Sequence, residues 1–178
     1  MNRLLVVVDM QNDFINGALG TKEAELIVGN VVNKIKEYQR NGDSIIFTQD
    51  THFDNYLETN EGKKLPVKHC IKNTDGWEIS KEIQKICNLK DHKVYEKVTF
   101  GSSELAKDLA DGVYNEYSEI ELIGICTDIC VISNTLLMKT FLPEKLITVD
   151  AACCAGITPQ SHKQALGVMK MCHIDVME

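Results

Sequence analysis

The chain contains 178 residues with a mass of 20.0 kDa, a length that suits one domain with its own hydrophobic core. Its net charge is −7 at pH 7 and its basic residues are scattered, which argues against nucleic acid or an anionic membrane surface as partner and favours a small molecule. No apolar run approaches the roughly 20 residues that cross a bilayer, and the apolar start is too short for a secretory signal, so we expect a cytoplasmic protein.

Two short apolar runs near the start of the chain predict buried strands. Leu4–Val8 ends at Asp9, and Ser44–Thr48 ends near Asp50. Apolar residues recur at helical spacing between positions 24 and 38. A helix between two buried strands predicts a β-α-β unit.

Strands and helices alternate along the rest of the chain. We predict helices around 78–86, at 103–110, from about 130 and at 159–171, and strands around 93–95, at 119–125, at 145–150 and around 174–176. This order predicts a three-layer α/β/α fold with a mostly parallel, six-stranded, Rossmann-like sheet in a single domain over residues 1–178. Residues 51–76 lack periodicity and are expected to form an irregular loop, where functional residues tend to lie.

Five polar side chains follow the ends of the predicted strands. In open α/β sheets, ligands bind at the carboxyl ends of the strands, and parallel strands end at the same edge. We therefore expect one site at that edge, formed by Asp9, Asp50, His52, Lys97 and Cys130.

Cys130 lies where the strand at 119–125 turns into the next helix. The backbone N–H groups and the dipole at a helix N-terminus favour an anion, so the pattern predicts a thiolate that is accessible near neutral pH. Taken singly, Asp9 and Lys97 are typical of a turn cap and a solvated lysine. Together with Cys130 they supply a proton acceptor, a cation and a nucleophile.

The seven cysteines, at positions 70, 87, 126, 130, 153, 154 and 172, lack the regular framework of a secreted disulfide protein. Most of them, including Cys153 and Cys154, are expected to be small buried hydrophobic residues. A redox pair of Cys126 and Cys130 is an open alternative to a lone nucleophile.

Six segments, by their order and spacing, resemble the isochorismatase-like cysteine hydrolases, which include nicotinamidases and N-carbamoylsarcosine amidases. The resemblance covers nearly the whole chain and implies that family's fold. It rests on Val8–Phe14, Thr48–His52, Leu65–Cys70, Lys97–Phe100, Gly124–Val131 and Asp150–Gly156.

The resemblance also implies the roles of individual residues. Asp9, Lys97 and Cys130 are expected to form a catalytic triad. A cis peptide is expected at Ile125–Cys126, and the backbone N–H groups of Cys126 and Cys130 are expected to form the oxyanion hole.

The activity implied by the resemblance is hydrolysis of a small amide through a thioester on Cys130, with nicotinamide as the leading substrate. Another small amide, or a carbamoyl or ureido compound, is the alternative for the same triad. Isochorismate hydrolysis is less favoured, because family members that perform it typically lack the nucleophilic cysteine. A non-catalytic binding protein or thiol-based redox sensor is the alternative of another class. The family often forms dimers or tetramers, so we expect a homo-oligomer.

Asp50, His52 and His69 form a second group of candidate residues. One carboxylate and two imidazoles suit a divalent metal, with zinc first and iron or manganese as alternatives. In nicotinamidases a metal at these positions holds the pyridine nitrogen of the substrate. Glu58 and Glu61 are candidates for a further ligand, and no organic cofactor is expected.

Phe14 resembles the aromatic residue that lines the substrate pocket of nicotinamidases, where it can stack on a planar ring. Many nicotinamidases carry a second aromatic residue before the metal-binding histidine, whereas this chain has Leu65. Trp77 is expected to pack the 51–76 loop against the domain.

Overall fold

The computed structural model describes residues 2–178. These residues form a parallel sheet of six strands. Its strands are β1 (Arg3–Val8), β2 (Ser44–Asp50), β3 (Lys93–Lys97), β4 (Glu119–Ile125), β5 (Leu146–Ala155) and β6 (Asp175–Met177). The helices are α1 (Asn12–Ile15), α2 (Lys22–Asn41), α3 (Asn60–Lys64), α4 (Lys81–Gln84), α5 (Ser103–Ala110), α6 (Ile132–Phe141) and α7 (Pro159–Met171). The order across the sheet is β3-β2-β1-β4-β5-β6, and all neighbouring strands pair in parallel.

Alternate side chains of β1 enter two separate hydrophobic cores, one on each face of the sheet. Leu4 and Val6 belong to one core, and Leu5 and Val7 belong to the other. Helices α5, α6 and α7 cover the first core, and α2 and α4 cover the second. The predicted three-layer α/β/α fold is therefore confirmed. Within residues 2–178, no helix has both the length and the apolar character needed to cross a bilayer.

The structure differs from the predicted elements in the segment 78–86, where only the short helix α4 forms. Ile79 makes an antiparallel bridge with Gln11, and the N–H of Ser80 donates to the carbonyl oxygen of Met10 over 2.8 Å. These contacts hold the first residues of the predicted helix in an extended conformation. The loop at 51–76 is also more ordered than predicted, since it contains a 3₁₀ turn at Tyr56–Glu58 and the helix α3.

Gly124 allows β4 to lie directly against β1 where both strands approach the site. Its φ of 121° is in the region that L side chains rarely adopt, and a Cβ atom there would lie 2.1 Å from the carbonyl oxygen of Val8. The close approach brings the residues after β4 next to Asp9, which follows Val8.

Candidate active site

Asp9, Lys97 and Cys130 meet at the carboxyl edge of the sheet. Lys97 Nζ lies 2.6 Å from Asp9 Oδ2 and 3.4 Å from Cys130 Sγ. All three side chains are buried. Asp9 follows β1, Lys97 ends β3, and Cys130 lies in the turn after β4. The structure therefore brings the predicted triad together.

The charges of the three groups are strongly linked. Burial raises the pKa of Asp9, and Lys97 offsets only part of that rise. Burial alone would lower the pKa of Lys97, but Asp9, Cys130 and Asp50 outweigh it and hold that pKa well above its usual range. The site thus holds a permanent cation beside a carboxylate whose affinity for a proton is increased, which suits a general base.

In the free protein the surroundings of Cys130 favour the protonated thiol, so the prediction of an accessible thiolate is wrong. Burial raises the pKa of the Cys130 thiol well above its usual range, Asp9 adds to the rise, and Lys97 opposes it. Cys130 lies inside a π-helical turn at Thr127–Val131, and the regular helix α6 begins two residues later at Ile132. Burial disfavours the charged form of the thiol, so the thiol needs a neighbouring base to lose its proton.

A cis peptide joins Ile125 to Cys126, as the resemblance implies. Cys126 and Cys130 both line one cavity. The carbonyl oxygen of Cys126 accepts hydrogen bonds from the N–H groups of Ile129 and Val131, and these bonds close the turn around Cys130. Burial raises the pKa of the Cys126 thiol to about 12, so this second cysteine is a poor nucleophile at neutral pH.

Three residues that support the site received no role from the sequence. Thr48 Oγ1 donates to Asp9 Oδ1 over 2.6 Å, and Gln11 Nε2 donates to the carbonyl oxygen of Asp50 over 2.8 Å. Asp13 Oδ2 accepts from the backbone N–H of Cys70 over 2.7 Å, which fixes the chain next to His69. Gln11 and Asp13 alternate with Asp9 within a segment of the resemblance, and this spacing is the signal that could have revealed them.

Asp50, His52 and His69 form a compact group of metal-binding atoms next to Lys97. Their ligand atoms all lie within 4.8 Å of one another, and all three residues are buried. Asp50 Oδ2 lies 3.0 Å from His52 Nε2 and 3.6 Å from His69 Nε2. Nδ1 of His69 lies 2.8 Å from the carbonyl oxygen of Val67, a contact that leaves the lone pair of Nε2 directed at the group. These donors fit a divalent ion that accepts nitrogen and oxygen ligands.

Glu61 rather than Glu58 adjoins this group. Glu61 Oε1 lies 3.7 Å from His52 Nε2 and 3.8 Å from His69 Nε2, whereas Glu58 is exposed in the 3₁₀ turn. Burial would lower the pKa of His52, but the hydrogen bond to Asp50 and the charges of Asp50 and Glu61 raise it overall. Such a concentration of negative charge favours a bound cation.

A largely apolar cavity of about 210 Å³ opens onto Cys130 and the candidate metal group. Phe14 lines it as expected, and Leu65 contributes an aliphatic wall. Trp77 does not line this cavity; its Nε1 donates to Thr51 Oγ1 over 2.9 Å, which ties the loop to the domain. The other lining residues are Leu19, Thr21, Asp50, Glu61, His69, Phe100, Ile125, Cys126, Ile129 and Ile157.

Comparison with known proteins identifies the family of this chain. The isochorismatase domain model matches residues 3–178. An isochorismatase family protein of Bacillus subtilis, PncA, is 30% identical over 176 residues, which cover 93% of each chain. The nicotinamidase of Escherichia coli is 27% identical, with 95% of this chain and 90% of that protein covered. The crystal structure of Pyrococcus horikoshii pyrazinamidase in complex with zinc superimposes with a TM-score of 0.82 at 26% identity, covering 100% of this chain and 99% of the other. The chain therefore belongs to the isochorismatase family.

Proposed function

We propose that this protein is a cysteine-dependent amidohydrolase that cleaves a small aromatic amide, with nicotinamide as the leading substrate. The observation that carries the proposal is the position of Lys97 Nζ, 2.6 Å from Asp9 Oδ2 and 3.4 Å from the Sγ atom of Cys130, a residue that lines an apolar cavity. A buried base, a cation and a thiol at one end of such a cavity are the groups that acyl transfer through a thioester requires.

Acylation begins when Asp9 accepts the proton of the Cys130 thiol. Lys97 stabilises the sulfur anion as it forms, and the sulfur attacks the carbonyl carbon to give a tetrahedral intermediate. The backbone N–H groups of Cys126 and Cys130 are the proposed donors to the oxyanion, a role in which each donor typically contributes about 3–4 kcal/mol. Asp9 then returns the proton to the amide nitrogen and the C–N bond breaks. Ammonia is released, and the acyl group remains bound to Cys130 as a thioester.

Deacylation repeats the proton transfers with water as the nucleophile. Asp9 takes a proton from the water, the oxygen attacks the thioester carbon, and the C–S bond breaks. The thiolate of Cys130 recovers the proton from Asp9, and a carboxylic acid leaves. The raised pKa of Asp9 suits both halves of this cycle, because a base with very low proton affinity would not withdraw a proton from a buried thiol.

Asp50, His52 and His69 are the proposed metal ligands, with Glu61 next to them. A zinc ion held there would act as a Lewis acid towards a lone pair of the substrate, such as that of a ring nitrogen. Two imidazoles and a carboxylate suit zinc as well as iron, and zinc is the leading candidate because the pyrazinamidase of Pyrococcus horikoshii was crystallised in complex with zinc.

The size and the lining of the cavity favour a small, mainly apolar amide such as one with a planar ring. Phe14 and Leu65 offer apolar contacts, while Asp50 and His69 place the candidate metal group on its wall. Nicotinamide matches both features, with a flat ring and one basic nitrogen. A carbamoyl or ureido compound uses the same triad but gains less from the apolar walls.

An ammonia-release assay on nicotinamide and a panel of other amides tests the proposal. We expect turnover by zinc-loaded protein, no turnover by Cys130→Ala, and normal turnover by Cys172→Ala, in which an exposed cysteine is removed instead. Full activity of Cys130→Ala would overturn the cysteine mechanism. Full activity after verified metal removal would discard the metal role, and turnover of another amide alone would discard nicotinamide. Strong thiol reactivity without any turnover would favour a redox sensor. The homo-oligomer remains a prediction that light scattering can test.

A further inference from the structure

The buried side chain of Asn134 joins two segments that carry site residues. Its Nδ2 donates to the carbonyl oxygen of Cys130 over 2.8 Å and to that of Phe100 over 3.1 Å. Its Oδ1 accepts from the backbone N–H of Ser102 over 3.0 Å. Two carbonyl groups on one side of the amide and an N–H on the other fix the orientation of the side chain. The turn that holds the nucleophile is thereby connected to the loop at 98–102.

The side chains on either side of Asn134 bond back to the turn around Cys130 but not to the loop at 98–102. Ser133 Oγ donates to the carbonyl oxygen of Ile129 over 2.6 Å, and Thr135 Oγ1 donates to that of Val131 over 2.7 Å. Both bonds stay within the helical segment and reach back four residues. A hydroxyl group has one hydrogen to donate, whereas the amide of Asn134 has two, so Asn134 bonds to the loop as well.

The loop at 98–102 is partly exposed to solvent. Val98 and Phe100 are exposed to 63% and 45%, and an added Cβ on Gly101 would have only Ser133 Cβ near it, at 3.8 Å. Ser102 is buried and caps α5 by accepting from the N–H of Leu105 over 3.1 Å. The hydrogen bond from Asn134 Nδ2 to the carbonyl oxygen of Phe100 ties this loop to α6.

Phe100 lies between two adjoining cavities. It lines the cavity of about 210 Å³ that contains Cys130 and also a second cavity of about 480 Å³. Glu61, Leu65 and Ile129 line both cavities as well. Phe53 lines only the second of the two. Phe100 is therefore one of four residues at the boundary between the cavity that contains Cys130 and the larger second cavity.

We propose that Phe100 is a specificity-determining residue that limits the amidohydrolase to one-ring amides, and that Asn134 is the positioning residue that keeps Phe100 in place. This inference rests on the proposed function for the identity of the substrate, but its geometry concerns only access to Cys130. Removing the ring joins the two cavities, and a two-ring aromatic carboxamide then has space beside the nucleophile. Loosening the loop has the same effect to a smaller extent.

Kinetics on a one-ring and a two-ring amide, nicotinamide and quinoline-3-carboxamide, test the proposal. We expect Phe100→Ala to raise the ratio of kcat/KM for the two-ring over the one-ring amide by about tenfold or more, since a pocket discriminates by the volume that it excludes. Asn134→Thr keeps one donor for the carbonyl of Cys130 but loses both bonds to the loop, to the carbonyl of Phe100 and from the N–H of Ser102. It should raise the same ratio and increase KM for nicotinamide more than it lowers kcat.

Two matched controls separate specificity from general loosening. Phe53→Ala removes an exposed aromatic ring from the second cavity alone, and Thr135→Val removes a buried bond within the helix alone. Both should leave the ratio within about twofold of that of the wild type. The proposal is overturned if either control changes the ratio as much as Phe100→Ala does, or if Phe100→Ala leaves it unchanged.

A second measurement does not depend on amide hydrolysis. The rate at which Cys130 reacts with N-phenylmaleimide or with its two-ring naphthyl analogue can be followed by peptide-resolved mass spectrometry. Phe100→Ala should increase the naphthyl-to-phenyl rate ratio at Cys130 but not at the exposed Cys172. If the wild-type protein cleaves no amide while this shift appears, the proposed function fails and the specificity inference stands. An unchanged alkylation ratio would overturn the inference whatever the kinetics. Because Phe100 is half exposed, its variant keeps this test valid even if Asn134→Thr does not fold.

Discussion

Lys97 is the residue that links the triad to the candidate metal group. Its buried Nζ contacts Asp9 Oδ2 at 2.6 Å, Asp50 Oδ1 at 3.2 Å and Cys130 Sγ at 3.4 Å. A buried cation with two carboxylate neighbours stays charged, because its loss would leave two negative charges close together in a low dielectric. Lys97 is therefore the proposed counter-charge for a thiolate at Cys130, 3.4 Å away.

We expect Lys97→Met to lower kcat/KM by about a hundredfold or more, the scale of effects at catalytic acid–base and charge-stabilising groups. Lys97 lowers the pKa of Cys130, so its removal should also shift the alkylation profile of Cys130 to higher pH. Both effects can be measured by steady-state kinetics and by iodoacetamide labelling across a pH series.

Lys93→Met is the matched control, since Lys93 lies on the same strand but is exposed and pairs with Glu104. It should leave both measurements unchanged. An alkylation profile that does not move in Lys97→Met would contradict the role of Lys97 as the counter-charge of the thiolate.

His52 provides a separate test of the metal group. His52→Ala removes one imidazole from the buried set that includes Asp50 and His69, so we expect zinc affinity to fall by at least about tenfold. Competition titration with a chromophoric chelator measures this directly. His92→Ala is the control, because His92 Nδ1 contacts the backbone oxygen of Ile45 and its ring packs on Phe47. Equal zinc affinity in wild type and His52→Ala would reject the assigned ligands.

At the scale of the elements, the approach of β4 to β1 determines where Cys130 and Asp9 meet. Gly124→Ala would place a Cβ atom 2.1 Å from the carbonyl oxygen of Val8 at a φ of 121°. We expect a loss of about 2 kcal/mol or more in the free energy of unfolding, because the backbone must move. Urea denaturation measures the change.

Gly29→Ala is the matched substitution for that experiment. Gly29 is exposed on α2, and an added Cβ there meets nothing within 4 Å. Alanine in a helix should stabilise it by roughly 0.5–1 kcal/mol relative to glycine. If the two substitutions change stability equally, the contact between β4 and β1 is not tight.

The regular elements could be predicted because their periodicity is local. The helices at 103–110 and 159–171 and the strand at 119–125 have the predicted bounds. The segment 78–86 was not predictable in this way, because the bridge between Gln11 and Ile79 is formed by residues far apart in sequence. Tertiary contacts of this kind override local propensity.

The residues of the candidate site were likewise predictable only where local sequence and strand order decide their position. The sequence predicted the residues that meet at the carboxyl edge, because parallel strands end at one edge. It did not predict the raised pKa of Cys130, since burial is known only once the turn is packed. Nor did it indicate Asn134, whose three hydrogen-bond partners lie on two segments.

At the scale of the whole molecule, a second buried ionic group lies beneath α2, away from the carboxyl edge. Glu121 is fully buried on β4, four residues before the strand ends. It accepts a hydrogen bond from Tyr38 Oη over 2.7 Å and pairs with Lys34 at 2.8 Å and with Arg3 at 3.4 Å. Burial and Glu121 together raise the pKa of Tyr38. This group joins β1, β4 and α2 and contains no residue of the proposed active site.

We expect Glu121→Ala to reduce stability without altering catalysis by the molecules that remain folded. Removing the carboxylate leaves the Tyr38 hydroxyl without its acceptor and takes one partner from Lys34 and Arg3, which keep Asp150 at 3.0 Å and Asp43 at 3.5 Å. We expect a loss of about 1–3 kcal/mol, the scale for a buried donor that is left unsatisfied. Glu119→Ala removes a partly exposed partner of Arg3 at 3.6 Å and should cost about 1 kcal/mol or less. Urea denaturation gives the stabilities, and titration of active Cys130 allows kcat to be expressed per folded molecule. A reduced kcat per folded molecule in Glu121→Ala would mean that the ionic group also positions the active site through β4.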